Sequence, residues 1–146
     1  MKSISDYKEQ HKTLMEQVTV LQTLLTEDQL KVEANAHMVH NLLRNLAEKV
    51  RKHLAMEDKE LYPSFLADED PEIKAIAWGF LRNESPLRKS FEQYSKRWLR
   101  TLDAEDNKDF ISDTREVLDS LRKRIEKEEK ELFPRLEKAS PGGQTT

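Results

Sequence analysis

HLAMEDKELYP (residues 53–63) and RIEKEEKELFP (residues 124–134) are two versions of one eleven-residue phrase. Glu57/Glu128, Lys59/Lys130, Glu60/Glu131, Leu61/Leu132 and Pro63/Pro134 are identical, while His53 in the first copy is replaced by Arg124 in the second. Each copy closes a long stripe of residues spaced alternately three and four apart. The stripe before the first copy is Ala36, Val39, Leu43, Leu46, Val50, His53 and Glu57; before the second it is Phe110, Thr114, Val117, Leu121, Arg124 and Glu128. Such spacing puts each set on one helix face. Two further stripes complete the pattern. Ile4, Tyr7, His11, Leu14, Val18, Leu21 and Leu25 form one; Ile73, Ala77, Phe80, Glu84, Leu87, Phe91, Tyr94 and Trp98 form the other. Four one-sided helices with short connections predict an all-α protein, an up-down antiparallel four-helix bundle.

Punctuation and composition agree. Asp70-Pro71 offers an N-cap followed by a proline in the first turn. Residues 103–109, DAEDNKD, separate the last two helices, and Pro86 interrupts the third. The first connection lies within TEDQLKVEAN (residues 26–35). We expect one domain over residues 1–139 and a disordered tail at 140–146. Net charge is −3 with both signs interleaved, so no basic stripe points to nucleic acid or anionic lipid. The absence of cysteine removes disulfides, thiolate metal sites and cysteine nucleophiles. No apolar run approaches the roughly 18 residues of a membrane span, and the N-terminus lacks a secretory signal core, so a cytoplasmic protein is expected. Neither a nucleophile constellation nor a phosphate-cradling glycine loop is present, and a non-enzymatic role is expected.

Six polar residues occupy stripe positions: His11, His53, Glu57, Glu84, Arg124 and Glu128. Unpaired burial of any of them would cost several kcal/mol, so they need one another. An up-down bundle mirrors level residues across each turn. Glu84 and Arg124 flank residue 104 equally, His53 and Glu84 flank 68–69, and His11 and His53 flank 32, so one layer can hold all six. Thr26 with Gln29 resembles a capping box; were the second helix to start there, His40 would stand level with His11 instead. His53 is preferred because His40 falls off the stripe. His37 and His40 read as surface histidines, and Trp78, Trp98, Phe91 and Tyr94 as core.

Three carboxylates and one guanidinium leave the layer at −2, which a divalent cation would balance. Two imidazoles with carboxylates suit iron, manganese or zinc. Arg124 stays protonated and cannot ligate; its expected partner is Glu84.

His11, the His53-x-x-x-Glu57 block running into ELYP, and the ELFP echo resemble the hemerythrin-like (HHE cation-binding) proteins over residues 3–138. The resemblance implies a hemerythrin-like four-helix bundle whose full ligand set binds two irons. Roles in the family include oxygen binding, oxygen or iron sensing and responses to nitrosative stress. His11 and His53 match histidines of one metal, and Glu57 and Glu128 match the carboxylates that bridge the pair. Glu84 and Arg124 stand where histidines of the other metal are expected. The resemblance therefore implies a half-site: one Fe (or Zn or Mn) on His11, His53, Glu57 and Glu128, with Arg124 filling the other half. The expected partner is a small diatomic ligand such as oxygen or nitric oxide, in a monomer or homodimer without nucleic acid or membrane. The alternative is a metal-free bundle serving as a regulatory or protein-interaction module.

Overall fold

The computed structural model describes residues 3–84, 86–100 and 107–139, with the side chains of 83, 84, 86, 136, 138 and 139 left aside. The elements are α1 (Ile4–Leu24), α2 (Glu27–Leu30), α3 (Glu33–Met56), α4 (Tyr62–Leu66), α5 (Pro71–Glu84), α6 (Pro86–Trp98), α7 (Asn107–Lys127) and α8 (Phe133–Ala139). Among the described residues there is no strand. Two widened helical turns, Glu57–Leu61 and Glu128–Leu132, join α3 to α4 and α7 to α8. The expected residues 140–146 tail and most of the 103–109 connection lie outside the described residues.

The helices start where their chemistry dictates. Ser3 and Asp6 form a capping box on α1. The Asp70 carboxylate accepts the Glu72 amide at 2.9 Å, the N-cap expected at Asp70-Pro71. Thr26 does cap a helix, since its hydroxyl accepts the Gln29 amide at 3.1 Å. That helix is the single turn α2, and α3 begins only at Glu33. His53 stands level with His11, their ring centroids 4.9 Å apart, so the two histidines mirror about Val32.

Packing closes a square in which α1 and α6 each contact both α3 and α7. The four long stripes face its interior, and the third is divided between α5 and α6 at Pro86. The interior consists of two apolar clusters. One contains Leu14, Leu54, Leu87 and Ile125; the other contains Tyr7, Leu61, Phe80 and Leu132. On each helix the handover from one cluster to the other takes seven residues: 7 to 14, 54 to 61, 80 to 87 and 125 to 132. His11, Glu57 and Glu128 fall inside those intervals, and His53 and Arg124 stand one residue before them, so these polar residues form one level between two apolar blocks.

Two expectations are corrected. His40 is buried, not on the surface, and its ring stacks on Phe110 at 6.1 Å between centroids. Phe110 is about 27 Å along α7 from Glu128, counting 1.5 Å per residue, so His40 serves the far core. Trp78 is 54% exposed rather than core; its α5 neighbours Ala77 and Phe80 take the inward positions.

Candidate metal centre

His11 comes from α1, His53 from the last turn of α3, and Glu57 and Glu128 from the first residues of the two widened turns. All four side chains are buried, and one ligand atom from each lies within 4.8 Å of the others. His53 Nε2 is 3.0 Å from Glu57 Oε2, and His11 Nε2 is 3.0 Å from Glu128 Oε1 and 3.6 Å from Glu57 Oε2. These four atoms are buried without a hydrogen-bond partner. Nature rarely leaves buried polar atoms this way without another demand on them. Here the demand is common to all four, because each faces the same small volume. The donor set fits a divalent cation of the iron, manganese or zinc type.

The remaining ligand atoms are tied off. His11 Nδ1 donates to Glu129 Oε2 at 2.7 Å, and His53 Nδ1 donates to Gln10 Oε1 at 2.6 Å. Each bond orients its ring so that Nε2 faces the layer. Arg124 donates to Glu57 Oε1 at 2.8 Å, with its Nε 3.5 Å from Glu128 Oε2. The Tyr62 hydroxyl donates to Glu128 Oε2 at 2.6 Å. Glu57 and Glu128 thus each keep one oxygen for the histidines and commit the other elsewhere. A carboxylate bridging two metals needs both oxygens, so Arg124 and Tyr62 leave room for one-oxygen ligation. Whether Arg124 also pairs with Glu84, as expected, lies outside the described residues.

Rings wall the site. Phe133 stacks on His11 at 5.5 Å and 8°, Tyr7 meets His53 edge-on at 6.1 Å, and Tyr62 covers the Arg124 guanidinium at 5.6 Å. The repeat therefore crosses over. The aromatic residue of the first copy sits on Arg124 of the second, and that of the second sits on the histidine of α1.

Charge is balanced within this buried layer. Burial opposes the His11 imidazolium, but Glu128 and Glu57 outweigh it and lift its pKa to about 10. Burial also opposes the Glu57 carboxylate, yet His53, His11 and Arg124 hold its pKa well below the usual range. Glu128 is pushed up to about 7, by burial first and then by the Glu57 charge. Burial raises the Tyr62 phenol, which stays a donor. A metal entering this layer displaces the His11 Nε2 proton rather than meeting a ready lone pair.

Gln10, Glu129, Tyr62, Phe133 and Tyr7 were not singled out as site residues from sequence. Gln10 and Glu129 adjoin His11 and Glu128 in the chain, on the flank of the stripe where periodicity gives no signal. Tyr62 and Phe133 stand at the one aromatic position of the repeat, a signal that could have found them. Tyr7 and Glu60 also bury an oxygen atom without a partner beside the layer.

A model of the hemerythrin HHE cation binding domain matches residues 2–136. No curated protein and no solved structure matches the chain. The match spans nearly the whole sequence, and the chain belongs to the hemerythrin HHE cation-binding family.

Proposed function

We propose that the chain holds a single divalent metal, iron first, on His11 Nε2, His53 Nε2, Glu57 Oε2 and Glu128 Oε1, and uses it to bind or sense a small diatomic ligand. The observation behind this reading is the convergence of those four buried, unpartnered donor atoms. A bound iron supplies an open coordination position, because four protein donors do not fill the five or six that it accepts. The chain's own residues do the rest. Gln10 and Glu129 orient the imidazoles. Arg124 replaces the second cation that two facing carboxylates would otherwise require. Tyr62, Phe133 and Tyr7 keep bulk water away. Binding rather than catalysis is the role we assign.

The test is metal content per chain by elemental mass spectrometry, on protein expressed with iron and purified without chelator or an immobilised metal. One iron per chain, lost in His53→Ala, is expected; nitric oxide should then perturb the visible spectrum. Two metals per chain would overturn the mononuclear reading. No metal would favour a second reading, in which Arg124, 2.8 Å from Glu57, neutralises that carboxylate together with the layer histidines and the bundle is an interaction module.

A further inference from the structure

The two widened turns have a common cause and a common consequence. In each, an amide donates to the carbonyl five residues back: Tyr62 to Glu57 and Phe133 to Glu128. The next residue is proline in both cases, Pro63 and Pro134. In an unbroken α-helix their rings would strike the carbonyls of Lys59 and Lys130, four residues back. A widened turn withdraws that carbonyl, and turns of this kind gather at functional sites.

The extra residue shifts the inward face by one position. The three-four spacing continued from Glu128 turns Glu131, Leu132 and Arg135 inward. Instead Leu132 and Phe133 are buried, while Glu131 and Arg135 are exposed. From Glu57 the same slip buries Leu61, Tyr62 and Phe65. One residue is about 100° of helix rotation. Without the slip, the Tyr62 hydroxyl leaves Glu128 Oε2 and the Phe133 ring leaves His11. Both prolines are themselves exposed, so they fill no core volume.

We infer that Pro63 and Pro134 are positioning residues for the metal centre: each holds a widened turn that delivers an aromatic side chain, Tyr62 onto Glu128 and Phe133 onto His11. This rests on the metal-centre reading for its functional meaning, but the turn itself can be read without metal.

Two measurements on Pro63→Ala, Pro134→Ala and the parent test it. The first is the proton NMR spectrum of the chelated proteins. A ring stacked at 5.5 Å shifts the His11 ring protons; Pro134→Ala should abolish that shift and Pro63→Ala should leave it. The second is iron(II) titration by calorimetry under anaerobic conditions. Each substitution should weaken binding by about tenfold or more, the scale of losing an outer partner of a ligand. The chelated variants should melt no lower than the parent, because alanine restores an amide donor to an exposed helix position. Pro63→Ala and Tyr62→Phe should be non-additive, since one acts through the other. His11 resonances unmoved by Pro134→Ala would overturn the inference, as would unchanged affinities or strict additivity. A parent that takes up no iron would instead refute the metal-centre reading, with the NMR result still deciding the role of Pro134.

Discussion

Arg124→Leu removes the cation that faces both layer carboxylates, and its cost can be worked from the geometry. Arg124 is 3% exposed; Glu57 and Glu128 are 0% exposed, at 2.8 and 3.5 Å from its nitrogens. Taking one partner from a buried ion pair costs about 3–5 kcal/mol, since the other charge is stranded. Two groups soften the loss here. Glu128, with a pKa of about 7, can accept a proton near neutrality, and the His11 imidazolium still faces Glu57. We expect about 2–3 kcal/mol of destabilisation for the metal-free variant. For a chain of this size about 2–4 °C of melting temperature accompanies each kcal/mol, giving a fall of about 4–12 °C. A divalent ion should reverse much of it. The ion restores positive charge to the layer, and without the guanidinium less positive charge opposes its entry. Metal at about a hundredfold over its dissociation constant adds about 2.7 kcal/mol to any competent fold, and the variant should gain more than the parent. Paired calorimetric melts in chelator and in excess iron(II) or zinc(II) make the comparison. An equal loss in both conditions, or none in chelator, would refute the idea that guanidinium and metal do the same electrostatic work.

Three further outcomes follow from the same geometry. Arg124→His places an imidazole against Glu57 Oε1, and metal content should rise from one per chain towards two. Gln10→Ala releases His53 Nδ1, and iron affinity should fall by about ten- to a hundredfold with little change in the metal-free melt. In metal-free protein, stability should decline with rising pH, as read from urea midpoints. Glu128 and His11 both have folded-state pKa values above their ordinary ones, at about 7 and about 10. Their favourable contributions are therefore complete at low pH. They are lost from about 4.5 to 7 for Glu128 and from about 6.5 to 10 for His11. Glu57 runs the other way, with a depressed pKa, and its contribution is lost only as pH falls below the ordinary carboxylate range. Saturating metal should remove the decline on the alkaline side.

The bundle and the polar layer were legible because both rest on one-dimensional spacing, while the family resemblance singled out His11, His53, Glu57 and Glu128 as candidate ligands. Counting residues offered Val32 as a mirror point but left His40 as a rival to His53; the structure decides for His53, whose ring lies 4.9 Å from that of His11. What periodicity missed has a physical reason in each case. The slip that buries Tyr62 and Phe133 breaks the spacing rule itself, through a proline whose effect reaches back along the helix. Gln10 and Glu129 act from the flank of the stripe, where polar residues are ordinary. His40 lies one position off the stripe in α3, yet it is buried with its ring stacked on Phe110. Trp78 read as core because tryptophan is large and apolar, but α5 turns its apolar stripe of Ile73, Ala77 and Phe80 inward and leaves Trp78 outside.

The even seven-residue intervals around the polar level carry a further consequence. Stripes of Leu, Val and Phe are nearly interchangeable from one heptad to the next, so a helix sliding by seven residues would meet apolar surface almost everywhere. At this level it would not. A slide of α1 by seven residues would set Val18 or Ile4 against Glu57 and Glu128, taking the His11 partner from two buried carboxylates at a cost of about a few kcal/mol. The charged layer thus acts as a longitudinal key, enforcing one alignment of four helices whose oily faces would tolerate several. A bundle with the layer rebuilt in leucine should therefore be stable yet mixed in alignment, whether or not a metal ever enters it.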